Sequence, residues 1–314
     1  MITLNPIEIR GAMVTSSTIP ALEADETAWA DATVYAVGDT RSYAIGTLTH
    51  KFECKYAHTS DIATGKIPEA FPDDETNAYW IDLGAINRYA MFQLERNTQS
   101  IETSSPLIVE VDPDDRVGAM GIGNVVADDV TLDIYDSGAG LVSTETKELL
   151  TRSVADWYDY FYQPFRQVKD TLFSDLTMNT THTFKLTFTK SSGSIKVGSV
   201  TPGVAFEIGT AQHQAKLRRL NFSTFTRTFD GETKITRRRS TPKVGLKLVI
   251  NKSKLDGVRQ LIDDLNGVVA PWAGIVETTD GYFESVFIVG LYKDFEISLD
   301  YPNHAIANIE IEGM

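Results

Sequence analysis

Histidine and cysteine supply many of the nucleophiles, bases and metal ligands of proteins, and this chain has few of either. The histidines are scattered, and no two stand at the His-x-x-x-His spacing that would place both imidazoles on one metal ion. They are His50, His58, His182, His213 and His304. We interpret each as an ordinary surface or strand residue. The single cysteine, Cys54, excludes an intramolecular disulfide and a Cys-cluster zinc site, and we interpret it as a small buried residue of a strand.

Carboxylates are abundant but form no complete motif. The run 112–115, with Asp128 and Asp129, could gather oxygens for calcium. It lacks the glycine and the distal glutamate of an EF-hand loop, so a solvated turn is favoured. Acid pairs suited to glycoside hydrolysis carry little weight in a chain with 43 Asp and Glu. A dinucleotide fingerprint and a Gly-x-Ser-x-Gly elbow are also missing. The sequence therefore predicts a protein that is not an enzyme and that uses no metal and no cofactor.

The charge is large, negative and unevenly distributed. A net charge of −14 argues against general binding of nucleic acid, whose phosphates need excess Lys and Arg. Residues 1–160 carry 27 acids against 10 bases, whereas residues 206–260 carry 13 bases against 4 acids. These regions could attract one another between copies, or the basic strand and the acidic loops could face each other within one copy. The run 237–239, Arg-Arg-Arg, is the place to distinguish the two.

Length and composition predict a mainly β protein of several domains. A chain of 314 residues exceeds what one core usually organises, and its Thr, Val, Ile and aromatic content favours strands. The start of the chain lacks the basic and apolar regions of a signal peptide, and no apolar run approaches the ~18 residues of a membrane span. We therefore expect the chain to be made in the cytosol, without a membrane span.

Residues 1–28 form an N-terminal segment, and residues 29–84 form a small aromatic β module. Alternation at 7–9, Ile-Glu-Ile, predicts a strand near the N-terminus that pairs with a sheet elsewhere. In the module, rings recur at short intervals separated by turns, with too few aliphatic residues for an ordinary core. These rings are Trp29, Tyr35, Tyr43, Phe52, Tyr56, Tyr79 and Trp80.

Residues 85–205 are predicted to form a β-sandwich. Short β-branched runs alternate with turns, and the alternation of 183–189 places Phe184, Leu186 and Phe188 on one buried face. Six rings within residues 157–165 show no clean period. Such a cluster is typical of a core or an interface, with a sugar-binding platform as the alternative.

Residues 206–314 are predicted to form an α+β unit with one helix, suited to assembly. The stretch 225–236 predicts a hairpin, because Asp230-Gly231 supplies the positive φ angles of a type I′ turn. Apolar residues from Leu255 to Leu265 follow helical spacing until Gly267. The stretch 253–256 resembles a capping box with Asp in place of Glu. Further strands are predicted after the helix, including one over 285–291.

The order of rings in residues 29–84 resembles the small chitin- and cellulose-binding modules. Their pattern is a Trp, then Tyr-x-x-Gly-Asp, then an aromatic strand and a closing Trp, which Trp29, 35–39 and Trp80 match. The resemblance implies a sugar-binding platform formed by Tyr56 and Tyr79, with Trp29 at its edge. In those modules adjacent exposed rings stack on pyranose faces, whereas the matching stretch 55–59 holds one ring.

Three segments together resemble tail and baseplate proteins of long-tailed bacteriophages. They are 29–92, 156–161 and the C-terminal stretches 290–295, 301–302 and 309–313. The most specific part is the end of the first segment, Trp-Ile-Asp-Leu-Gly-Ala-Ile-Asn-Arg-Tyr-Ala-Met-Phe. The resemblance implies a virion component near the tail tip, assembled in the host cytoplasm. Its implied partners are other tail proteins and further copies of itself.

Two functions of different classes follow. The first is a structural subunit of a tail tip or baseplate, in which ring-rich segments are buried between copies. The second is recognition of a host-surface glycan through residues 29–84. A glycan-cleaving enzyme is the least favoured.

Overall fold

Strands dominate the computed structural model, which describes residues 1–23, 26–68, 79–152, 154–212, 215–275, 282–299 and 301–314. In chain order the strands are β1 Ile2–Pro6, β2 Val14–Ser17, β3 Val34–Tyr35, β4 Thr40–Ile45, β5 Leu48–Cys54, β6 His58–Thr59, β7 Trp80–Ala85, β8 Ser100–Glu102, β9 Leu107–Val111, β10 Ala119–Gly123, β11 Asp129–Tyr135, β12 Leu141–Glu148, β13 Leu150–Thr151, β14 Arg166–Gln167, β15 Thr171–Phe173, β16 Thr183–Thr189, β17 Ile195–Val197, β18 Ser199–Glu207, β19 Thr210–Ala211, β20 Lys216–Asn221, β21 Thr224–Arg227, β22 Thr233–Thr236, β23 Ser240–Asn251, β24 Ala270–Ala273, β25 Phe287–Ser298 and β26 His304–Gly313. The α-helices within the described residues are α1 Trp157–Tyr162, α2 Leu255–Asp264 and α3 Phe283–Val286. The prediction of a mainly β fold is confirmed.

A ten-stranded antiparallel sheet runs through most of the chain. Its order is β15-β10-β18-β1-β24-β25-β26-β23-β19, with β20 also paired to β23. The N-terminal strand β1 lies between β18 and β24, so the N-terminus does pair with a distant sheet. The predicted strand at 7–9 was wrong in position, because the paired residues are Ile2–Pro6. Strand β18 continues across the predicted boundary at 205–206, so this sheet joins the second and third predicted units.

A five-stranded antiparallel sheet of order β12-β11-β16-β9-β2 packs on one end of the larger sheet. Phe184, Leu186 and Phe188 of β16 are buried, as their alternation predicts. They share one core with residues of the larger sheet such as Met120 and Phe173. Two sheets therefore enclose a common apolar layer, which is the arrangement of a β-sandwich.

Helix α2 packs on the C-terminal part of the larger sheet. Val258, Leu261 and Ile262 are buried against the strands, as the helical spacing predicts. The predicted capping box at 253–256 was wrong, because Lys254 precedes the helix without a capping side chain. A single 3-10 turn, Lys252–Lys254, comes first, and the Asn251 side chain accepts from the Ser253 N–H.

Two other predictions in this region need correction. The strand predicted over 285–291 begins at Phe287, because residues 283–286 form the single turn α3. The hairpin predicted at 225–236 is present as β21 and β22, but its turn is not type I′. A type I′ turn needs positive φ at both central residues, but within this turn only Gly231 has it, at +82°. The Gly231 N–H donates to the Thr228 carbonyl. This is the geometry of a three-residue loop with a bulged glycine.

Candidate functional site

The aromatic module forms a miniature core of rings, as its composition predicts. Strands β4, β5 and β7 make a three-stranded sheet, and β3 pairs with β6 beside it. Tyr35, Phe52, Cys54 and Trp80 are buried together. The Tyr35 and Trp80 rings meet edge to face at 5.0 Å, and the Tyr35 hydroxyl donates to the carbonyl of Ala30 at 3.1 Å. These rings hold the strands together and are unavailable to a ligand.

The three rings predicted to bind sugar differ in their environments. Tyr56 is 55% exposed, and the ammonium of Lys55 lies 5.5 Å from its ring centre. Tyr79 is half-buried against His58, with ring centres 4.7 Å apart. Trp29 is half-buried and meets Tyr43 edge to face at 5.4 Å. Of the three, Tyr56 offers the largest free ring face.

Backbone pairing brings two of these rings together and separates the third. The Lys55 N–H donates to the Tyr79 carbonyl at 2.7 Å, so Tyr56 and Tyr79 are attached to neighbouring positions beside β5. The Trp29 N–H donates to Ser42 of β4, on the other side of β5. Since the sheet order is β4-β5-β7, Trp29 and Tyr79 belong to opposite edges. Trp29 and Tyr79 nevertheless pack against the same small core, and the platform of Tyr56, Tyr79 and Trp29 stays a prediction.

Cys54 and His58 form the one cysteine–histidine pair of the described residues. Sγ lies 3.6 Å from Nδ1 of His58 and donates to the Tyr56 carbonyl at 3.1 Å. Cys54 is fully buried, and burial raises the pKa of its thiol. A neutral, inaccessible thiol is a poor nucleophile, so the pair is structural. The interpretation of Cys54 as a buried strand residue is confirmed, whereas His213 lies outside the described residues.

A small charged network ties β7 to the segment that follows it. His50 Nδ1 lies 3.2 Å from the Asp82 carboxylate, and Arg96 contacts the same carboxylate at 2.9 Å. Burial of Asp82 by itself favours the protonated, neutral form of its carboxyl group. The hydrogen bonds from His50 and the Gly84 N–H, together with the Arg96 charge, outweigh it and lower the pKa of Asp82. This network stabilises the module at its junction with the rest of the chain.

The acidic residues considered for calcium serve local turns. Asp128 accepts from the Ser191 N–H at 2.7 Å, and hydrogen bonds from Ser191 lower the pKa of Asp128. Asp115 accepts from the Arg116 N–H at 2.7 Å. Across the described residues, no group of three His, Cys, Asp or Glu is placed to hold a metal ion.

A cleft of about 550 Å³ is lined by the segment 93–99, the end of β10, the starts of β18 and β25, and the base of β20 and β23. Asp170 lies in its wall and accepts from the Asn124 N–H at 2.9 Å. Burial raises the pKa of Asp170, against the influence of this hydrogen bond and of Lys169. Arg219 and Arg239 also line the cleft. A lone carboxyl with no hydrogen-bonded base or nucleophile does not make a catalytic constellation.

Residues 154–165, which we call the ring segment, form the most exposed aromatic cluster. Asp156 accepts from the Asp159 N–H at 2.8 Å, and Asp159 accepts from the Ala155 N–H at 3.1 Å. These reciprocal caps hold the six-residue helix α1. Its rings point away from the body of the protein, and Trp157 is 80% exposed. The others with large exposed faces are Tyr158, Tyr160, Phe161, Tyr162 and Phe165.

Of the predicted alternatives for these rings, a core is therefore wrong, whereas an interface and a sugar-binding platform stay predictions. A helix of six residues has too little length to bury rings on every side. The guanidinium of Arg152 lies 4.7 Å from the centre of Tyr160 and 5.0 Å from that of Phe165, and it donates to the Tyr160 carbonyl at 2.7 Å. One cation thus covers part of the cluster, and the remaining rings face solvent.

Residues 216–240, which we call the arm, form a second exposed surface. Strand β20 pairs with the start of β23, and β21 pairs with β22 in a separate two-stranded ribbon. Every residue of β21 and β22 is exposed, so neither face of the ribbon packs on the body. The apolar residues exposed along the arm are Leu217, Phe222, Phe225, Phe229 and Ile235.

The arm is also the basic region of the chain. It carries eight Lys and Arg against two acids, a net of +6, which leaves −20 on the remaining residues. Part of the basic region does face acids within one copy, since Lys243 contacts Glu310 at 3.0 Å and Lys254 contacts Glu207 at 2.6 Å. Within the described part of the chain, Arg227, Arg237 and Arg238 take part in no ion pair.

Comparison with known proteins adds little to this picture. No family model matches the chain, and no curated protein matches it. A solved structure of a fucose binding module from Streptococcus pneumoniae, SpX-3, is similar with 12% identity and a TM-score of 0.22. The similarity covers 35% of this chain and 72% of that one. A TM-score this low does not indicate a shared fold.

Among the helices of the described residues, none combines the length and the apolar character of a membrane span.

Sequence reasoning found the aromatic residues but missed where the exposed surfaces are. The arm was predicted as a hairpin, and nothing in that prediction marked it as projecting. The available signal was its pattern, because 222–235 places Phe and Ile among basic residues without the alternation that buries one face of a strand.

Proposed function

We propose that this chain is a structural subunit of a bacteriophage tail tip or baseplate. In this proposal it assembles with copies of itself and with other tail proteins, in the host cytoplasm, and becomes part of the virion. The tail class rests on the sequence resemblance of 29–92, 156–161 and the C-terminal stretches within 290–313. The observation that supports assembly is the arm, which exposes Phe225, Phe229 and Ile235 on a ribbon with no packed face.

The arm favours assembly because an isolated two-stranded hairpin is only marginally stable in water. A third strand or a packed apolar face is what usually stabilises such a hairpin, and within the described residues neither exists for β21 and β22. Contact with another molecule would supply it. Exposed rings at that density mark protein interfaces rather than ordinary surface.

Analytical ultracentrifugation over a range of concentrations tests assembly. We expect the full chain to form oligomers, and the double variant Phe225→Ser/Phe229→Ser to lose them. Ile62→Ser is a matched control, because Ile62 is similarly exposed but lies in the aromatic module. Equal masses for the two variants would count against the arm as an assembly surface.

Immunogold electron microscopy tests whether the protein is part of a phage tail. Antibodies to the chain should label one end of the tail on particles released from cells that carry this gene. Particles that form without label, in cells that make the protein, would contradict a virion location.

A second function, glycan recognition through the module, is favoured by the pair Tyr56 and Tyr79. The Lys55 ammonium lies over one face of the exposed Tyr56 ring, so the other face suits the CH face of a sugar and the ammonium suits its hydroxyls. Titration with chitooligosaccharides and host-surface polysaccharide, followed by tryptophan fluorescence, tests it. Binding should be lost in Tyr56→Ala and kept in Tyr56→Phe. Loss in Tyr162→Ala instead would move the sugar site to the ring segment.

A further inference from the structure

Two exposed apolar surfaces of this chain carry charges of opposite sign. The arm bears +6, whereas the ring segment has Asp156 and Asp159, and the Arg152 guanidinium stacked on its rings leaves that surface with a net charge of −1. We propose that the arm of one copy docks on the ring segment of a second copy. This inference rests on the proposed structural function and names the partner and both contact surfaces.

Contact between two arms is disfavoured by their charge. Eight cations on each arm would meet with few acids to offset them, since only Asp230 and Glu232 are acidic there. Like charges placed opposite one another cost free energy, and the cost grows as water leaves the interface. The ring segment, with two acids against the single cation Arg152, reduces this penalty.

The rings themselves suit the cations of the arm. Arg152 already stacks on Tyr160 and Phe165 in the same copy, which shows that this cluster accepts a guanidinium on its ring faces. Trp157 and Tyr158 present further faces to solvent. Arg227, Arg237 and Arg238 of another copy could occupy them as cation–π partners, while Phe225 and Phe229 fill the space between rings.

The exposed area is large enough for a specific contact. Three phenylalanines of the arm and four exposed rings of the ring segment would remove about 1,000 Å² from water, at roughly 150 Å² each. Specific interfaces begin near this size. The arm can also reach a neighbour, since its 12 residues from Phe229 to Ser240 would span about 40 Å as a straight ribbon.

A contact between two different surfaces has a consequence for symmetry. When the contact is made reciprocally, with the arm of each copy on the ring segment of the other, it gives a two-fold dimer. When it is made head to tail, the arm of the second copy stays available for a third, and the contact closes into a ring or continues as a helical filament. Since both surfaces carry charge, assembly should weaken as salt is raised.

Cysteine cross-linking in the full chain tests this arrangement. Ala155→Cys places a thiol within the ring segment, and Thr226→Cys places one on the arm, both at exposed positions. The natural Cys54 is buried and does not compete. One variant carries a longer tag, so that a mixed disulfide is distinguished by size. Mild oxidation of an equimolar mixture should give several-fold more mixed dimer than Ser192→Cys mixed with Thr226→Cys.

The outcomes separate this inference from the proposed function. Ser192 lies in an exposed turn outside both surfaces, so it reports random collision. Oligomers by ultracentrifugation with cross-linking no greater than this control would overturn the docking and leave a structural subunit standing. A chain that stays monomeric at all concentrations would overturn the docking. The structural function would then depend on gold labelling of the tail alone. Selective cross-linking that falls with salt would support the docking.

Discussion

The aromatic module and the ring segment are both rich in rings, yet they use them in opposite ways. In the module, Tyr35, Phe52 and Trp80 come from three different strands and are buried. In the ring segment, five of the six rings follow almost one after another on a single short helix, and most of their area faces solvent. Ring content is therefore a poor guide to burial, and ring spacing is a better one.

The physical reason lies in geometry. A paired strand turns every second side chain to one face, so three strands can bring single rings to a shared centre. A short helix spreads consecutive side chains around its axis, and no body of protein can cover all of them. The first arrangement builds a core, and the second builds a surface suited to a partner.

The largest expected difference between the two regions is in the free energy of unfolding that is lost when a ring is removed. Phe52→Ala should destabilise the module by about 3–5 kcal/mol, because it leaves a cavity in a fully buried cluster. Phe161→Ala should change stability by less than about 0.5 kcal/mol, since its ring is exposed. Urea unfolding of dilute protein, followed by tryptophan fluorescence, measures both. Similar losses in the two variants would mean that the ring segment is packed in solution.

A smaller effect separates a buried hydroxyl from an exposed one. Tyr35→Phe should cost about 1–3 kcal/mol, because the N–H and the carbonyl of Ala30 both lose the hydroxyl as a partner. Tyr158→Phe is the control, and we expect no measurable change in its unfolding. An unchanged free energy of unfolding in Tyr35→Phe would show that water replaces the hydroxyl as the partner of Ala30.

A local effect is expected at the start of α1. Asp156→Ala should cost about 1 kcal/mol of helix stability, because the Asp159 N–H loses its acceptor. Hydrogen exchange should quicken for the amides of residues 159–162, with the global unfolding transition unchanged. Asp230→Ala, on the turn of the arm, is a control that should leave those amides as they are.

The smallest expected effect is on the pH dependence of the free energy of unfolding. The pKa of Asp82 is lower in the folded protein than in the unfolded chain, so its contribution to stability is full above the unfolded value near 4. That contribution is lost as the pH falls through the folded value. Asp82→Asn should therefore be less stable than the parent at neutral pH, and the difference should shrink in acid. A constant difference would show that the carboxylate charge does not matter.

Local pattern was a good guide where one face of an element is buried. The alternation of 183–189 and the helical spacing from Leu255 to Leu265 predicted the observed elements, because burial of one face imposes the period. The capping box at 253–256 failed, since a 3-10 turn before α2 moved the start of the helix. The prediction of a type I′ turn was wrong because an Asp-Gly sequence is also compatible with a three-residue loop that ends in a bulged glycine.

The candidate surfaces were predictable only in part. The rings of the module were identifiable as a cluster, and Tyr56 was expected to be exposed. That Trp29 lies across β5 from Tyr79 depends on the order of three strands, which no local pattern encodes. The projection of the arm likewise depends on where β26 stops pairing with β23, at Lys243.

The amino-acid sequence alone determined the mainly β class, the face of β16 that is buried, the position of α2 and the sign of the charge along the chain. These follow from side-chain period and composition, which are local properties. Only the tertiary structure decided that β1 lies between β18 and β24, which of the module rings are buried, and that the ring segment and the arm remain uncovered. Burial depends on which distant segments meet, because each apolar surface is covered only when another element of the chain reaches it.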